Sequence, residues 1–239
     1  MIYVTSDIHG RFDYFKKLLK KIKFSNKDYL FILGDVIDRH HDGGVSILKW
    51  LLVQPNVQLI LGNHEAMCLS CEWLFDEIRS KKDLSTLDNA KLKCYMNWRH
   101  NGAEPTMKAL REETAEVRED IFDYLKDCPL YDTVHVGGRE FVLVHGGLGN
   151  FAPDKPLSSY EPFDLLWTRP SLEIEYTGLF VILGHTPTSF YGTQYRHRMI
   201  KTPTFCNIDT GAAQGYFPMM LRLDDMKPFY LTEADTLPN

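Results

Sequence analysis

The chain has no apolar run approaching the ~20 residues that a membrane-spanning helix requires, and with 44% apolar and 25% charged residues its composition is that of a water-soluble globular protein. The opening Met1-Ile2-Tyr3-Val4-Thr5-Ser6-Asp7 lacks the basic segment and long apolar stretch of a secretory signal. A cytoplasmic protein with no membrane partner is expected. A basic excess is also missing. The net charge is −5, and without a Lys/Arg surplus on one face nucleic acid is not a favoured partner. Cysteine is sparse, with five scattered residues (Cys68, Cys71, Cys94, Cys128, Cys206), an odd set best read as free thiols. Cys68 and Cys71 form a C-x-x-C that no second pair answers, which predicts a buried helical pair rather than a redox or zinc site. Gly and Pro fall as isolated punctuation without a linker or repeat, so residues 1–239 are expected to form one domain. Nothing in the sequence specifies an oligomeric state.

What the chain does have is a series of short apolar runs with the length and β-branched or aromatic content of buried strands. They are Ile2 to Val4, Tyr29 to Leu33, Val57 to Leu61, Phe141 to Val144 and Phe180 to Leu183, and each closes close to an Asp, Asn or His. Parallel strands of a buried sheet present their carboxyl ends along one edge, so side chains distant in sequence can converge there on one ligand. Between the runs lie helical patterns. Phe12, Phe15, Leu18, Leu19 and Ile22 repeat at helical spacing, with Lys16, Lys17, Lys20 and Lys21 on the solvent face. A second helix is expected near 44 to 52, and the βαβαβ alternation of the first half predicts an α/β fold with parallel pairing. Residues 66 to 128 read as a helical insertion broken at Gly102 and Pro105, and Phe205 to Ile208 and Met219 to Leu223 return to strand, plausibly in a second sheet.

The loops that close the five strands are Asp7-Ile8-His9-Gly10, Gly34-Asp35-Val36-Ile37-Asp38-Arg39, Gly62-Asn63-His64-Glu65, His145-Gly146-Gly147 and Gly184-His185. Taken singly, each Asp or His would be a cap or a satisfied core group. Together they offer the mixed oxygen and nitrogen donors that Mn²⁺, Fe and Zn²⁺ accept, whereas a Ca²⁺ cage would need oxygen almost throughout.

In that order the loops resemble the phosphoprotein phosphatase family of calcineurin-like metallophosphoesterases, whose serial motifs are G-D-x-H-G, G-D-x-x-D-R-G, G-N-H-E, H-G-G and G-H. Two departures stand out: Ser6 replaces the leading glycine of the first motif, and His40 follows Arg39 where the family has glycine. The resemblance implies a β-sandwich of two mixed sheets flanked by helices, holding two divalent ions, with Mn²⁺ expected and Fe or Zn²⁺ compatible. It implies that Asp7, His9 and Asp35 bind one ion, that Asp35, Asn63, His145 and His185 bind the other, and that Asp35 bridges them. By the same resemblance His64 is the general acid, Asp38 holds its other ring nitrogen, and a metal-bridging water attacks phosphorus. A carboxylate partner is expected to favour the imidazolium. Arg39 would orient the phosphate by forked hydrogen bonds, and Arg169, in Trp167-Thr168-Arg169, resembles the second arginine of small bacterial and phage members.

The implied activity is hydrolysis of phosphoserine or phosphothreonine, with phosphotyrosine a further option, in a phosphoprotein or phosphopeptide partner. A diadenosine tetraphosphate-type dinucleotide hydrolase is the alternative, because that related group uses the same metal core. A non-catalytic scaffold is disfavoured by the retention of His64. His40-His41-Asp42 reads as an exposed variable turn, the basic run from Tyr195 to Lys201 as a solvated face, and Trp73, Trp98 and Trp167 as core. The segment Trp98-Arg99-His100-Asn101-Gly102 resembles a W-x-x-N-G stretch of small bacterial members to which the sequence assigns no physical role.

Overall fold

A computed structural model describes residues 1–75 and 88–236. The chain begins β1 (Ile2–Thr5), α1 (Phe12–Ile22), β2 (Tyr29–Leu33), α2 (Val45–Leu51), β3 (Val57–Ile60), and β1, β2 and β3 pair in parallel as the alternation predicts. In α1 the apolar spacing places Phe15 and Leu18 in the core, each worth about 1.5–3 kcal/mol of burial. The helix carries Lys20 and Lys21 in its last turn, where cations suit the helix dipole, and stops at Lys23 in the left-handed conformation.

After β3 the chain turns directly into α3 (Asn63–Leu69), followed by a short turn at Glu72–Phe75 and helices at Asn89–His100, Glu104–Glu112 and Ala115–Asp127. The insertion is therefore helical as expected, with its part at 76–87 outside the described residues. Gly102 does separate two helices. Pro105 does not break one: it stands in the first turn of Glu104–Glu112, where its missing N–H would be unbonded in any case. Among the described residues no helix is long and apolar enough to cross a membrane.

The second half supplies β4 (Tyr131–Val136), β5 (Arg139–Val144), β6 (Val181–Leu183), β7 (Ile200–Lys201), β8 (Phe205–Asn207), β9 (Met219–Arg222) and β10 (Lys227–Tyr230). One sheet runs β10-β9-β1-β2-β3 and the other β4-β5-β6-β8-β7. Both are mixed. Parallel β1, β2 and β3 lie side by side in the first sheet and parallel β5, β6 and β8 in the second, and antiparallel β9, β10, β4 and β7 complete them. The strands β8 and β9, expected together in a second sheet, are thus divided, β9 crossing back to pair with β1.

Between the sheets lies a core of Val4, Phe31, Leu33, Ile60, Phe141, Leu143, Ile182, Met219 and Leu221. Alternate residues on the same strands pack outward: Leu30 and Ile32 under the helices of the first sheet, Val142 and Val144 against Tyr160 and Tyr176 on the second. Strands buried on both faces need apolar side chains at every position, which is why these runs are continuous rather than alternating. The sandwich brings the carboxyl ends of both sets of parallel strands to one place.

Candidate metal centre

Every strand that ends there contributes to a single pocket. Asp7 and His9 follow β1, Asp35 and Arg39 follow β2, Asn63 and His64 open α3 after β3, His185 follows β6, and Asp209 follows β8, all lining one cavity with Asn101, Trp167, Arg169, Phe190 and Gln214. His145, at the end of β5, lies buried beside it. Eight of the ten residues that the sequence marked line the pocket, and the other two, His145 and Asp38, are buried against Asn63 and His64, which do.

The loops achieve this through an unusual backbone. Asp7, His9, Asp35, Asp38, Arg39 and His185 all have positive φ, from 46° to 74°. Such non-glycine conformations cost roughly 1–3 kcal/mol each and persist only where surrounding contacts fix them. Those contacts are present. Asp7 N–H donates to Gly34 O (3.1 Å), His9 N–H to Asp35 O (2.9 Å), His185 N–H to Asp7 Oδ2 (2.9 Å) and His64 N–H to Asp35 Oδ1 (3.0 Å). Glu65, which the sequence left without a role, accepts the backbone N–H groups of Asp35, Val36, Ile37 and Gly62 and so ties the second motif to the third.

The imidazoles are oriented from behind. His9 Nδ1 donates to Ile37 O (2.9 Å) and His145 Nδ1 to Leu33 O (2.7 Å), which directs each Nε2 into the site and, in a neutral ring, makes it the nitrogen that offers a lone pair. His145 Nε2 then faces Asn63 Oδ1 at 2.9 Å, His185 Nδ1 at 3.2 Å and Asp35 Oδ1 at 3.4 Å. His9 Nε2 lies 3.7 Å from Asp35 Oδ2 and 4.0 Å from Asp7 Oδ1. Lone pairs converging on lone pairs repel, and His185 Nε2 is itself buried without a hydrogen-bond partner. Donor atoms arranged in this way fit cations between them. Two groups have ligand atoms close enough to hold an ion, His9 with Asp35 and His64, and Asp35 with His145 and His185. Asp35 belongs to both.

Electrostatics agree with that reading. Burial pushes the carboxyl groups of Asp35 and Asp209 well above the usual carboxylate range, reinforced by the charge of Asp7 on each, and burial raises Asp7 as well. Burial, with nearby His64 and Arg39, holds His9 well below the usual imidazole range, and burial with His145 lowers His185. The imidazoles held low are neutral, the state that binds metal, and carboxyl groups whose ionised form is destabilised by burial and mutual repulsion are ones that a bound cation would stabilise as carboxylates.

His64 is set apart by its partners. Its Nδ1 donates to Asp38 Oδ2 at 2.6 Å, while Nε2 accepts from Arg39 Nη2 at 3.3 Å at the pocket wall. The Asp38 contact alone predicts a ready imidazolium. Burial, followed by the charge of Arg39, instead lowers His64 well below its usual range. Burial also raises Asp38, to about 7, against hydrogen bonds from Thr106 and Trp98. Trp98 is fully buried, as a core residue should be, but its Nε1 donates to Asp38 Oδ2 at 3.0 Å. Arg169 Nη1 donates to His185 O (3.1 Å) and Thr186 Oγ1 (3.2 Å), which holds its guanidinium in the wall of the pocket that Arg39 also lines.

Asp209 is the pocket residue that sequence reasoning passed over. The signal was available, since β8 is followed by Ile208-Asp209 just as the other strands are followed by Asp, Asn or His. The turn at His40 differs from expectation only in part: His41 is exposed, but His40 is half-buried, with Nε2 3.1 Å from Ala213 O.

Comparison with known proteins places this geometry in context. A family model described as calcineurin-like phosphoesterase matches residues 1–209. The symmetrical bis(5'-nucleosyl)-tetraphosphatase of Acidovorax sp. (strain JS42) is 27% identical over 148 residues, 62% of this chain and 44% of that protein. The chain thus spans less than half the length of that relative. In fold it is similar to a structure named as a proposed diadenosine tetraphosphatase (TM-score 0.62, 17% identity, 96% of this chain and 92% of that one). It is also similar to a protein serine/threonine phosphatase from Saccharomyces cerevisiae (TM-score 0.58, 15% identity, 97% and 80%).

Proposed function

We propose that this chain, which belongs to the calcineurin-like phosphoesterase family, is a two-metal hydrolase of phosphoric esters and anhydrides whose substrate is a dinucleoside tetraphosphate. The observation that carries the metal-dependent chemistry is the convergence of His145 Nε2, His185 Nδ1, Asn63 Oδ1 and Asp35 Oδ1 within 3.4 Å of one another's shared centre at His145. Asp7, His9 and Asp35 would hold one cation and Asp35, Asn63, His145 and His185 the other, with Asp35 common to both. When bound, the pair polarises the phosphate and activates the attacking water. Mn²⁺ is the cation we favour, and the donor set also accepts Fe and Zn²⁺.

The remaining residues have separable tasks. Arg39 and Arg169 both line the pocket and orient the phosphate oxygens, a task suited to planar guanidinium groups. A phosphate that draws the Arg39 guanidinium away from His64 Nε2 relieves the contact that opposes imidazolium, so that substrate binding favours the protonated acid. His64 then gives its proton to the leaving oxygen, while Asp38 fixes the ring. Trp167, Phe190, Asn101 and Gln214 line the same pocket and offer stacking and polar contacts to whatever the phosphate carries.

The name of the curated relative supports the dinucleotide as substrate and moves the protein phosphatase reading, implied by the serial motifs, to second place. One feature keeps that second reading in view: the adjacent Asp38 and Arg39, both held at the site, complete the motif through which the chain resembles protein phosphatases. A scaffold without activity is the weakest reading, because it has no use for an acid held at 2.6 Å by its partner.

The deciding experiment supplies Mn²⁺ to metal-stripped protein and follows diadenosine tetraphosphate and a phosphoserine peptide at matched concentrations. Water added symmetrically across the tetraphosphate yields two molecules of ADP, read by chromatography; the peptide yields inorganic phosphate. Faster ADP formation is expected. Faster peptide dephosphorylation would replace the dinucleotide with a phosphoprotein, and turnover of neither would leave only the scaffold.

A further inference from the structure

The segment Trp98-Arg99-His100-Asn101-Gly102 lies where the helix Asn89–His100 ends, far from the strands in sequence yet directly behind the second motif. Trp98 Nε1 donates to Asp38 Oδ2 (3.0 Å), Gly102 O accepts the backbone N–H of Arg39 (3.0 Å), and Asn101 reaches the pocket itself. Gly102 has φ +96°, and a Cβ there would stand 3.1 Å from Arg39 Cγ, so the close approach needs glycine. From the next helix, Glu104–Glu112, buried Thr106 donates its hydroxyl to Asp38 Oδ1 and accepts the Asp38 backbone N–H at 3.0 Å.

The backbone N–H groups of two consecutive residues with φ of 73° and 74°, Asp38 and Arg39, are thus bonded to acceptors that all come from the helical insertion or from Gly43. One oxygen of Asp38 faces Thr106. The other is shared between Trp98 and His64, so Trp98 sets the direction from which the carboxylate meets the imidazole.

We propose that Trp98 and Thr106 are positioning residues for proton donation: the insertion fixes Asp38, and through it His64, so that Nε2 points at the leaving oxygen. The inference rests on the hydrolase reading above and on His64 as its acid. In the step concerned, the oxygen of water bonds to phosphorus as the bond to the leaving oxygen breaks, and that oxygen takes the proton from His64 Nε2. Positioning matters most where the leaving group is a strong base and least where it departs as a stable anion.

That dependence supplies the test. With metal-loaded protein of verified metal content, kcat/KM is measured on phenyl phosphate, whose leaving group has a pKa of about 10 like that of tyrosine, and on 2,4-dinitrophenyl phosphate, which needs little assistance. Trp98→Phe and Thr106→Val should each lower the ratio of the first to the second by about 10-fold. Thr106→Ser, which keeps the hydroxyl, should restore the native ratio, and His64→Ala should lower it furthest. A ratio unchanged in both Trp98→Phe and Thr106→Val, whether their rates hold or fall together, overturns the inference while leaving the hydrolase reading intact. Native protein that turns over diadenosine tetraphosphate but neither ester overturns this inference alone, and native protein that hydrolyses none of the three with metal bound overturns the hydrolase reading with it. The two substitutions lie on different helices, so misfolding of one leaves the other to decide.

Discussion

The carboxylate of Glu65 accepts backbone N–H groups from Asp35 and Val36 at 2.8 Å each, from Gly62 at 3.1 Å and from Ile37 at 3.3 Å, all of it buried. Glu65→Ala would leave those donors without partners or water, a loss we place at about 3–5 kcal/mol. Urea unfolding of the metal-free protein checks it; a midpoint within error of native would show that the loop stands without Glu65. Because this residue works through backbone groups, nothing in its own motif distinguishes it from a fourth ligand. That Asp7, His9, Asp35, Asn63, His145 and His185 come together was legible for a different reason: each is a donor type near the end of an apolar run, and only the serial motifs offered them as ligands. Trp98 was not, since a tryptophan at helical spacing looks the same whether its Nε1 meets solvent, a carbonyl or a buried carboxylate.

At the scale of the elements, the site depends on strand ends from two sheets approaching without side chains between them. A Cβ on Gly184, after β6, would lie 2.2 Å from Asp7 Oδ2 and 2.4 Å from Ser6 Oγ, after β1. Gly184→Ala should therefore displace Asp7 and lower bound metal to about one equivalent or less per chain, measured by elemental analysis after dialysis. Gly138, in the β4–β5 turn with open space around it, is the control: Gly138→Ala should cost about 1–2 kcal/mol for its φ of +79° and leave metal content at the native value. Retention of full metal by Gly184→Ala would mean the sheets can part without loss of the centre. The central strands were readable because burial on both faces demands continuous apolar runs. The antiparallel edge strands were not: β4 carries Asp132, Thr133 and His135, and β10 carries Pro228, which an edge position tolerates. The division of β8 and β9 between sheets follows from long-range pairing that no local pattern records.

For the molecule as a whole, the free thiols report how tightly the sandwich closes. Burial pushes Cys128 and Cys206 up to about 12 and Cys71 up to about 11, and raises Cys68 well above the usual thiol range, whereas Cys94 is half-buried. Since the thiolate is the nucleophile, only Cys94 should react promptly with a disulfide reagent at pH 8, the others following unfolding. The same shifts fix a sign for alkaline stability. The unfolded thiols ionise first, near 8.5–9, so the unfolded state holds fewer protons above that pH and stability falls as pH rises toward 11 to 12, by up to about 1.4 kcal/mol per pH unit for each buried thiol. Urea midpoints at pH 7, 8.5 and 10 should decline only over the upper interval; a flat profile would mean that the thiols are solvated. The metal centre itself sits where both sheets end, and it is the claim on which the functional account stands. The most direct measurement titrates Mn²⁺ into metal-stripped protein while following bound ion and hydrolysis of diadenosine tetraphosphate together. The account predicts two ions bound per chain, with turnover absent before addition and rising as the second site fills. Hydrolysis by the stripped protein at the native rate, or none at full Mn²⁺ occupancy, would contradict it.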